Sequence, residues 1–205
     1  GVVGMSLDPF YLIVGHVSQI ELLVPHGVRL VQLRIKDQPE AEIHRQIRRA
    51  RDFCAVHRAQ LVVNDHWQVA LDLNCSFVHL GQEDMDSADF AALRRAGVAV
   101  GLSTHDEAEL ERALSCDPAY VALGPVYPTL LKKMAWGPQG LDRVTAWKRA
   151  AGKVPLVGIG GLTPERLPGL FAAGADSAAV VTDIAQAADP EARCCDWIKA
   201  TEAWR

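Results

Sequence analysis

Gln32, Arg34 and Lys36 occupy alternate positions of the stretch Leu30 to Asp37, with Val31, Leu33 and Ile35 between them. A period of two is that of a strand, so an amide and two cations share one face and three apolar side chains the other. Burying unpaired charge is costly, so the polar row meets either water or a multivalent anion. A planar guanidinium beside an ammonium suits phosphate or pyrophosphate; a solvated face on an edge strand is the plainer reading. Asn64-Asp65 follow the apolar run Leu61 to Val63, and Asp84 lies beyond Phe77 to Leu80. Each reads singly as a helix cap. Together, facing cations, the two aspartates suggest Mg²⁺ held between carboxylates and a diphosphate, because this ion takes one or two carboxylates and completes its shell with phosphate oxygens and water. Gly160-Gly161 ahead of Thr163-Pro164-Glu165 reads as a phosphate cup or as an ordinary turn, with Val181-Thr182 as its other half. His79 reads equally as a core histidine, and His105 only weakly as a substrate contact. No Ser/His/Asp ordering, G-x-S-x-G or H-E-x-x-H is present.

These residues punctuate a regular alternation. Strands are expected at Tyr11–Val14, Gln32–Lys36, Leu61–Val63, Phe77–Leu80, Val98–Leu102, Tyr120–Leu123, Pro155–Ile159 and Ala178–Val181. Helical spacing lies between them: Ile20, Leu23 and Val24 before Gly27; Ile43, Ile47, Ala50 and Cys54; Trp67 to Leu73; Ala88 to Ala96; Asp106 to Ser115, with Asp106 as cap; Leu141 to Ala150; a helix opened by Thr163 as cap and Pro164; and Pro190 to Trp204. A long connection runs from Tyr127 to Gly140, with Trp136 in it. About eight strand-then-helix units without a composition break make a parallel sheet, and the count favours a single-domain (β/α)₈ TIM barrel over a doubly wound open sheet. In such barrels the working face is at the C-terminal ends of the strands, where the polar residues above fall.

The chain has 205 residues, 49% hydrophobic and 22% charged, with a net charge of −4. That size suits one domain, 1–205, with residues 1–9 as a flexible lead-in. The charge gives no overall attraction to nucleic acid or anionic membrane, and the arginines at 45, 48, 49, 51 and 58 read as a solvated helix face. No apolar run is long enough for a membrane span, and the start lacks a signal-peptide pattern. Five cysteines without C-x-x-C spacing read as reduced thiols, which points to the cytoplasm. Nothing in the pattern addresses self-association.

Several strand ends match a known family in order and spacing. They are Gln-Leu-Arg-Ile-Lys-Asp at 32–37, Val-Asn-Asp at 63–65, His-Leu-Gly-Gln-Glu-Asp at 79–84 and Gly-Leu-Ser-Thr-His at 101–105. Ala-Leu-Gly-Pro-Val-Tyr-Pro-Thr at 122–129, Pro-Gln-Gly-Leu at 138–141 and Ile-Gly-Gly-Leu at 159–162 complete the set. The chain resembles the thiamine-phosphate synthase (thiamine-phosphate pyrophosphorylase) family from Tyr11 to the closing helix. The resemblance implies small phosphorylated substrates: the diphosphate of 4-amino-2-methyl-5-hydroxymethylpyrimidine, and a thiazole with a phosphorylated hydroxyethyl arm. It implies a Mg²⁺-assisted, dissociative substitution that yields thiamine phosphate and pyrophosphate. By resemblance, Gln32 and Asn64 hold the pyrimidine, and Arg34, Lys36, Ser103 and Lys132 hold the diphosphate. Asp65 and Asp84 hold Mg²⁺. Thr129 lies between the two phosphate groups, and Gly161, Val181 and Thr182 receive the thiazole phosphate.

The sequence also departs from the family pattern. Leu131 stands where the family's Pro-Thr-x-Thr-Lys has its second threonine, and one lost donor beside developing charge costs about 3 kcal/mol. Thr182 replaces a common serine and keeps the hydroxyl. Gly15-His16 end the first strand where an acidic residue is frequent. The alternatives are a thiazole tautomerase-like paralogue or a non-catalytic thiamine-phosphate-binding paralogue on the same barrel.

Overall fold

Eight parallel strands follow one another in chain order, and the last pairs with the first. The computed structural model describes residues 7–129 and 136–205. The strands are β1 Phe10–Val14, β2 Leu30–Leu33, β3 Gln60–Asn64, β4 Phe77–Leu80, β5 Ala99–Thr104, β6 Tyr120–Leu123, β7 Leu156–Ile159 and β8 Ser177–Val180. The helices are α1 Val17–Leu23, α2 Glu40–Val56, α3 Trp67–Asp72, α4 Gln82–Met85, α5 Phe90–Arg95, α6 Glu107–Leu114, α7 Gly140–Ala151, α8 Leu167–Ala173, α9 Thr182–Ala185 and α10 Pro190–Thr201. This is the (β/α)₈ TIM barrel. Closure pairs every strand on both sides, which excludes the open sheet and the edge-strand reading of the cation row.

The strand alternation divides the apolar residues into two cores. Leu12, Val14, Val31, Leu33 and Val63 face the helix layer, where Trp147 and Trp197 are fully buried. Tyr11, Ile13, Leu30, Val62, Phe77, Tyr120 and Val157 fill the barrel interior. Each large side chain buried this way contributes about 1.5–3 kcal/mol. The interior face of β2 carries Gln32 beside Leu30, so the expected face of the polar row is correct, but the strand stops at Leu33. Arg34 and Lys36 continue beyond it, exposed, while Ile35 between them is buried.

Other local expectations need correction. Thr163 starts its turn without a side-chain cap, and Pro164–Arg166 form a 3₁₀ turn ahead of α8. Val181 lies past β8, not in it, and immediately precedes α9. The four-residue helices α4 and α9 carry no periodicity that a sequence could display. Asp8, read as part of the lead-in, is instead tied: Arg205 donates to its carboxylate at 2.8 and 3.0 Å, and the Ser177 hydroxyl to its carbonyl at 2.7 Å. His16 caps α1, its Nδ1 accepting from the Ser18 amide at 3.0 Å, which accounts for a histidine at the end of the first strand. Asp106 caps α6 as expected.

Candidate active site at the C-terminal rim of the barrel

A pocket of about 850 Å³ opens at the C-terminal ends of the strands, within the size range of small-molecule sites. Gln32, Arg34, Lys36, Asn64, Asp65, Asp84, Ser103, Thr129, Gly161, Val181 and Thr182 all line it. Lys132 and Leu131 lie outside the described residues. Residues scattered over 150 positions meet because parallel closure aligns every strand terminus on one rim.

The charges on the rim are arranged as opposites. Lys36 Nζ lies 2.5 Å from Asp65 Oδ2. Arg34 makes no ion pair among the described residues, leaving its guanidinium available to an anion. Asp65 has a left-handed backbone, φ +64°, and its amide bonds the His79 carbonyl at 2.9 Å. This twist turns its carboxylate toward Asp84, which α4 carries in its first turn. The two carboxyl groups lie close enough for each to shift the other's titration. Burial pushes Asp84 up, and the adjoining Asp65 carboxylate adds to that push. Burial would raise Asp65 too, but the bonds from Lys36 and Asp84 outweigh it and hold Asp65 below the ordinary range. Two carboxylates in contact repel each other unless a proton or a cation lies between them. No cluster of three or more His, Cys, Asp or Glu that could hold a metal occurs among the described residues. Two carboxylates open to a pocket fit Mg²⁺ completed by substrate oxygens and water.

Asn64 is 4% exposed, and its Nδ2 has no hydrogen-bond partner among the described residues. An unsatisfied buried donor costs about 1–3 kcal/mol; on a pocket wall it marks a place for a ligand acceptor. Opposite it, Gly160 and Gly161 turn with φ +107° and +66°. A Cβ at Gly161 would lie 2.6 Å from the Pro128 carbonyl oxygen and 2.8 Å from the Tyr127 Cβ, so the β7 loop seats against the β6 loop only without a side chain. Next to this turn, Val181 and Thr182 begin the short helix after β8, the arrangement of loops and extra helix in which barrels commonly hold phosphate.

The floor holds residues that sequence reasoning missed. Tyr11 and Tyr120, read as strand-filling apolar residues, meet hydroxyl to hydroxyl at 2.7 Å. The Gln32 amide bonds the Tyr11 hydroxyl at 2.9 Å, Tyr120 lies 2.5 Å from His79 Nδ1, and His79 Nε2 lies 2.7 Å from Ser103 Oγ. Burial pushes both phenols up, so they stay protonated. Burial likewise depresses His79 to about 4, against the pull of Asp65. The sequence signal for this cluster was parity: Tyr11 and Gln32 sit on interior-facing positions of adjacent strands. His105 stands at the rim, bonded through Nδ1 to Glu109 at 2.7 Å and stacked on Trp136 with centroids 5.2 Å apart.

The thiamine monophosphate synthase family model matches residues 10–184. A thiamine-phosphate synthase of Rhizobium etli is 58% identical over 201 residues, 98% of each chain. One from Neisseria meningitidis serogroup B is 44% identical over 183 residues, 89% of each chain. Among solved structures, a thiamine phosphate pyrophosphorylase from Pyrococcus furiosus superposes with a TM-score of 0.84 at 25% identity, over 96% of each chain.

Proposed function

Because the chain belongs to the thiamine monophosphate synthase family, we propose that its rim pocket joins an aminopyrimidine methyl diphosphate to a phosphorylated thiazole, releasing pyrophosphate. It is a thiamine-phosphate synthase, a transferase of thiamine biosynthesis. The finer reading rests on one observation: Arg34 and Lys36 converge with Asp65 and Asp84 on a single pocket wall, which suits a diphosphate and a divalent cation together.

The chemistry follows from the charges. The bond from the pyrimidine methylene to the diphosphate oxygen breaks, and its electron pair leaves with pyrophosphate. The aminopyrimidine delocalises the resulting positive charge. The thiazole nitrogen then donates its lone pair and forms the new C–N bond. Neither step needs a strong general base, so the protein's work is positioning and stabilisation of the leaving anion. Arg34, Lys36 and the Ser103 hydroxyl hold the diphosphate, together with Lys132 of the segment between β6 and α7. Gln32 and the unpartnered Asn64 amide hold the pyrimidine ring. Gly161, Val181 and Thr182 hold the thiazole phosphate, and Thr129 lies between the two anions. Asp65 and Asp84 would hold Mg²⁺, which would supply positive charge to offset that of the leaving group. A cytoplasmic setting fits the five free thiols, and no helix among the described residues is long and apolar enough to cross a membrane.

The test is pyrophosphate release with each component omitted in turn. Release is expected only with both substrates and Mg²⁺; release from the pyrimidine alone, or undiminished release with chelator, contradicts the proposal. Asp65→Ala is expected to lose Mg²⁺-dependent turnover with an unchanged melting curve, and near-normal turnover would remove the metal assignment.

A further inference from the structure

We infer that the buried chain Gln32–Tyr11–Tyr120–His79–Ser103 couples the two halves of the pocket, so that a hydrogen-bond donor seated on Gln32 makes Ser103 a donor toward the diphosphate. This deepens the reading above and rests on it for the identity of the ligands.

The argument is one of proton counting. A phenol has one O–H, a neutral imidazole one N–H, and a serine one O–H. Tyr11 and Tyr120 are 1% and 0% exposed, and the only polar groups bonding their hydroxyls, among the described residues, are the neighbours in the chain. Leaving either O–H unpaired there carries the full desolvation penalty. Only two arrangements place a single proton in every bond of the chain. In the first, Gln32 Nε2 donates to Tyr11, Tyr11 to Tyr120 and Tyr120 to His79 Nδ1. His79 Nε2–H then donates to Ser103 Oγ, and the Ser103 proton is left for the pocket. In the second, every bond is reversed: the Gln32 oxygen accepts from Tyr11, and Ser103 donates back to His79. No mixed arrangement works, because a reversal midway sets two protons, or two lone pairs, face to face across one of these short contacts.

The two ends therefore change together. In the first sense Gln32 turns its oxygen to the pocket and Ser103 offers a proton to it. In the second Gln32 offers its NH₂ and Ser103 shows only lone pairs. An aminopyrimidine presenting its exocyclic N–H₂ to Gln32 selects the first sense. A diphosphate at Ser103, which has only acceptor oxygens, selects the same one. Each ligand thus prepares the site of the other although neither touches the links between. Tyr120 is a positioning residue here, acting through the imidazole on Ser103.

The experiment measures coupled binding by calorimetry, with 4-amino-5-hydroxymethyl-2-methylpyrimidine and with inorganic pyrophosphate plus Mg²⁺, each alone and each in the presence of saturating amounts of the other. The wild-type protein is expected to bind either probe at least about fivefold tighter when the other is present, the lower end of typical coupling. In Tyr120→Phe, which cuts the chain at its middle, that factor falls to about one. If Tyr120→Phe fails to fold, Tyr11→Phe cuts the same chain one link earlier and is expected to do the same. Nitrogen-15 spectra of His79 supply a readout that packing alone does not move: with both probes bound, Nε2 carries the proton and Nδ1 does not. Coupling that survives Tyr120→Phe, or a His79 protonated on Nδ1 with both probes bound, overturns the inference and leaves the proposed function standing. Failure of the wild-type protein to bind either probe removes the proposed function and the inference with it.

Discussion

Gly101→Ala tests whether the pocket floor is as tightly built as its geometry indicates. Gly101 in β5 pairs with Tyr120 in β6, and a Cβ at position 101 would fall 2.1 Å from Cε2 and Cζ of the Tyr120 ring. Carbon atoms in contact sit about 3.5–4.0 Å apart, so the ring would have to retreat by about 1.5 Å. Three aromatic neighbours crowd it. Its centroid lies 5.7 Å from that of Tyr11, 5.8 Å from Phe77 and 5.6 Å from His79, and the backbone on both sides belongs to the barrel. Overpacking of this kind costs about 1–3 kcal/mol. A displaced Tyr120 also gives up its bonds to Tyr11 and His79, about 1 kcal/mol each. The expected loss is about 3–5 kcal/mol, a large share of the roughly 5–15 kcal/mol that holds a domain together. Urea denaturation measures it as a lowered midpoint at unchanged slope. A double-mutant cycle identifies the cause. Tyr120→Leu removes the ring atoms that clash, so Gly101→Ala should cost less in that background by more than about 1 kcal/mol. A Gly101→Ala protein within 1 kcal/mol of the wild type, or strictly additive losses, would refute the steric reasoning.

Acid should weaken the metal-free protein through His79. Its folded value of about 4 lies below the ordinary 6.5 of an unfolded chain, so between those limits the unfolded chain binds more protons. Stability is then complete above pH 6.5 and is lost as pH falls toward 4, at up to about 1.4 kcal/mol per unit. Urea midpoints at pH 7 and 4.5 should diverge less in His79→Gln, and an equal divergence would exclude His79 as the source. At the other end of the pocket, Gly161→Ala forces a left-handed alanine against the Pro128 carbonyl. We expect the KM for the phosphorylated thiazole to rise about tenfold, equivalent to about 1.4 kcal/mol, with that for the pyrimidine diphosphate little changed; equal increases in both would argue against a thiazole-phosphate seat there.

Much of this molecule is legible along the chain. Alternation at β2 places Gln32, Arg34 and Lys36 on one face, because side chains in a strand change sides at every residue. The recurrence of apolar runs and amphipathic segments identifies a parallel α/β fold, and the motifs at the strand ends identify the family. Some details needed coordinates. The four residues of α4, too few to show a period, deliver Asp84 to Asp65. The left-handed turn at Asp65 aims its carboxylate, and a single residue's φ leaves no trace in hydrophobic patterning. Tyr11, Tyr120 and His79 looked like core because a buried phenol and a pocket-floor phenol have the same neighbours in sequence. They became a hydrogen-bonded chain only when closure brought β1, β4 and β6 to one axis. Local sequence determines which way a side chain points; the shape of the closed barrel decides what it meets, because those partners lie dozens of residues away and only closure of the barrel brings them within a bond length.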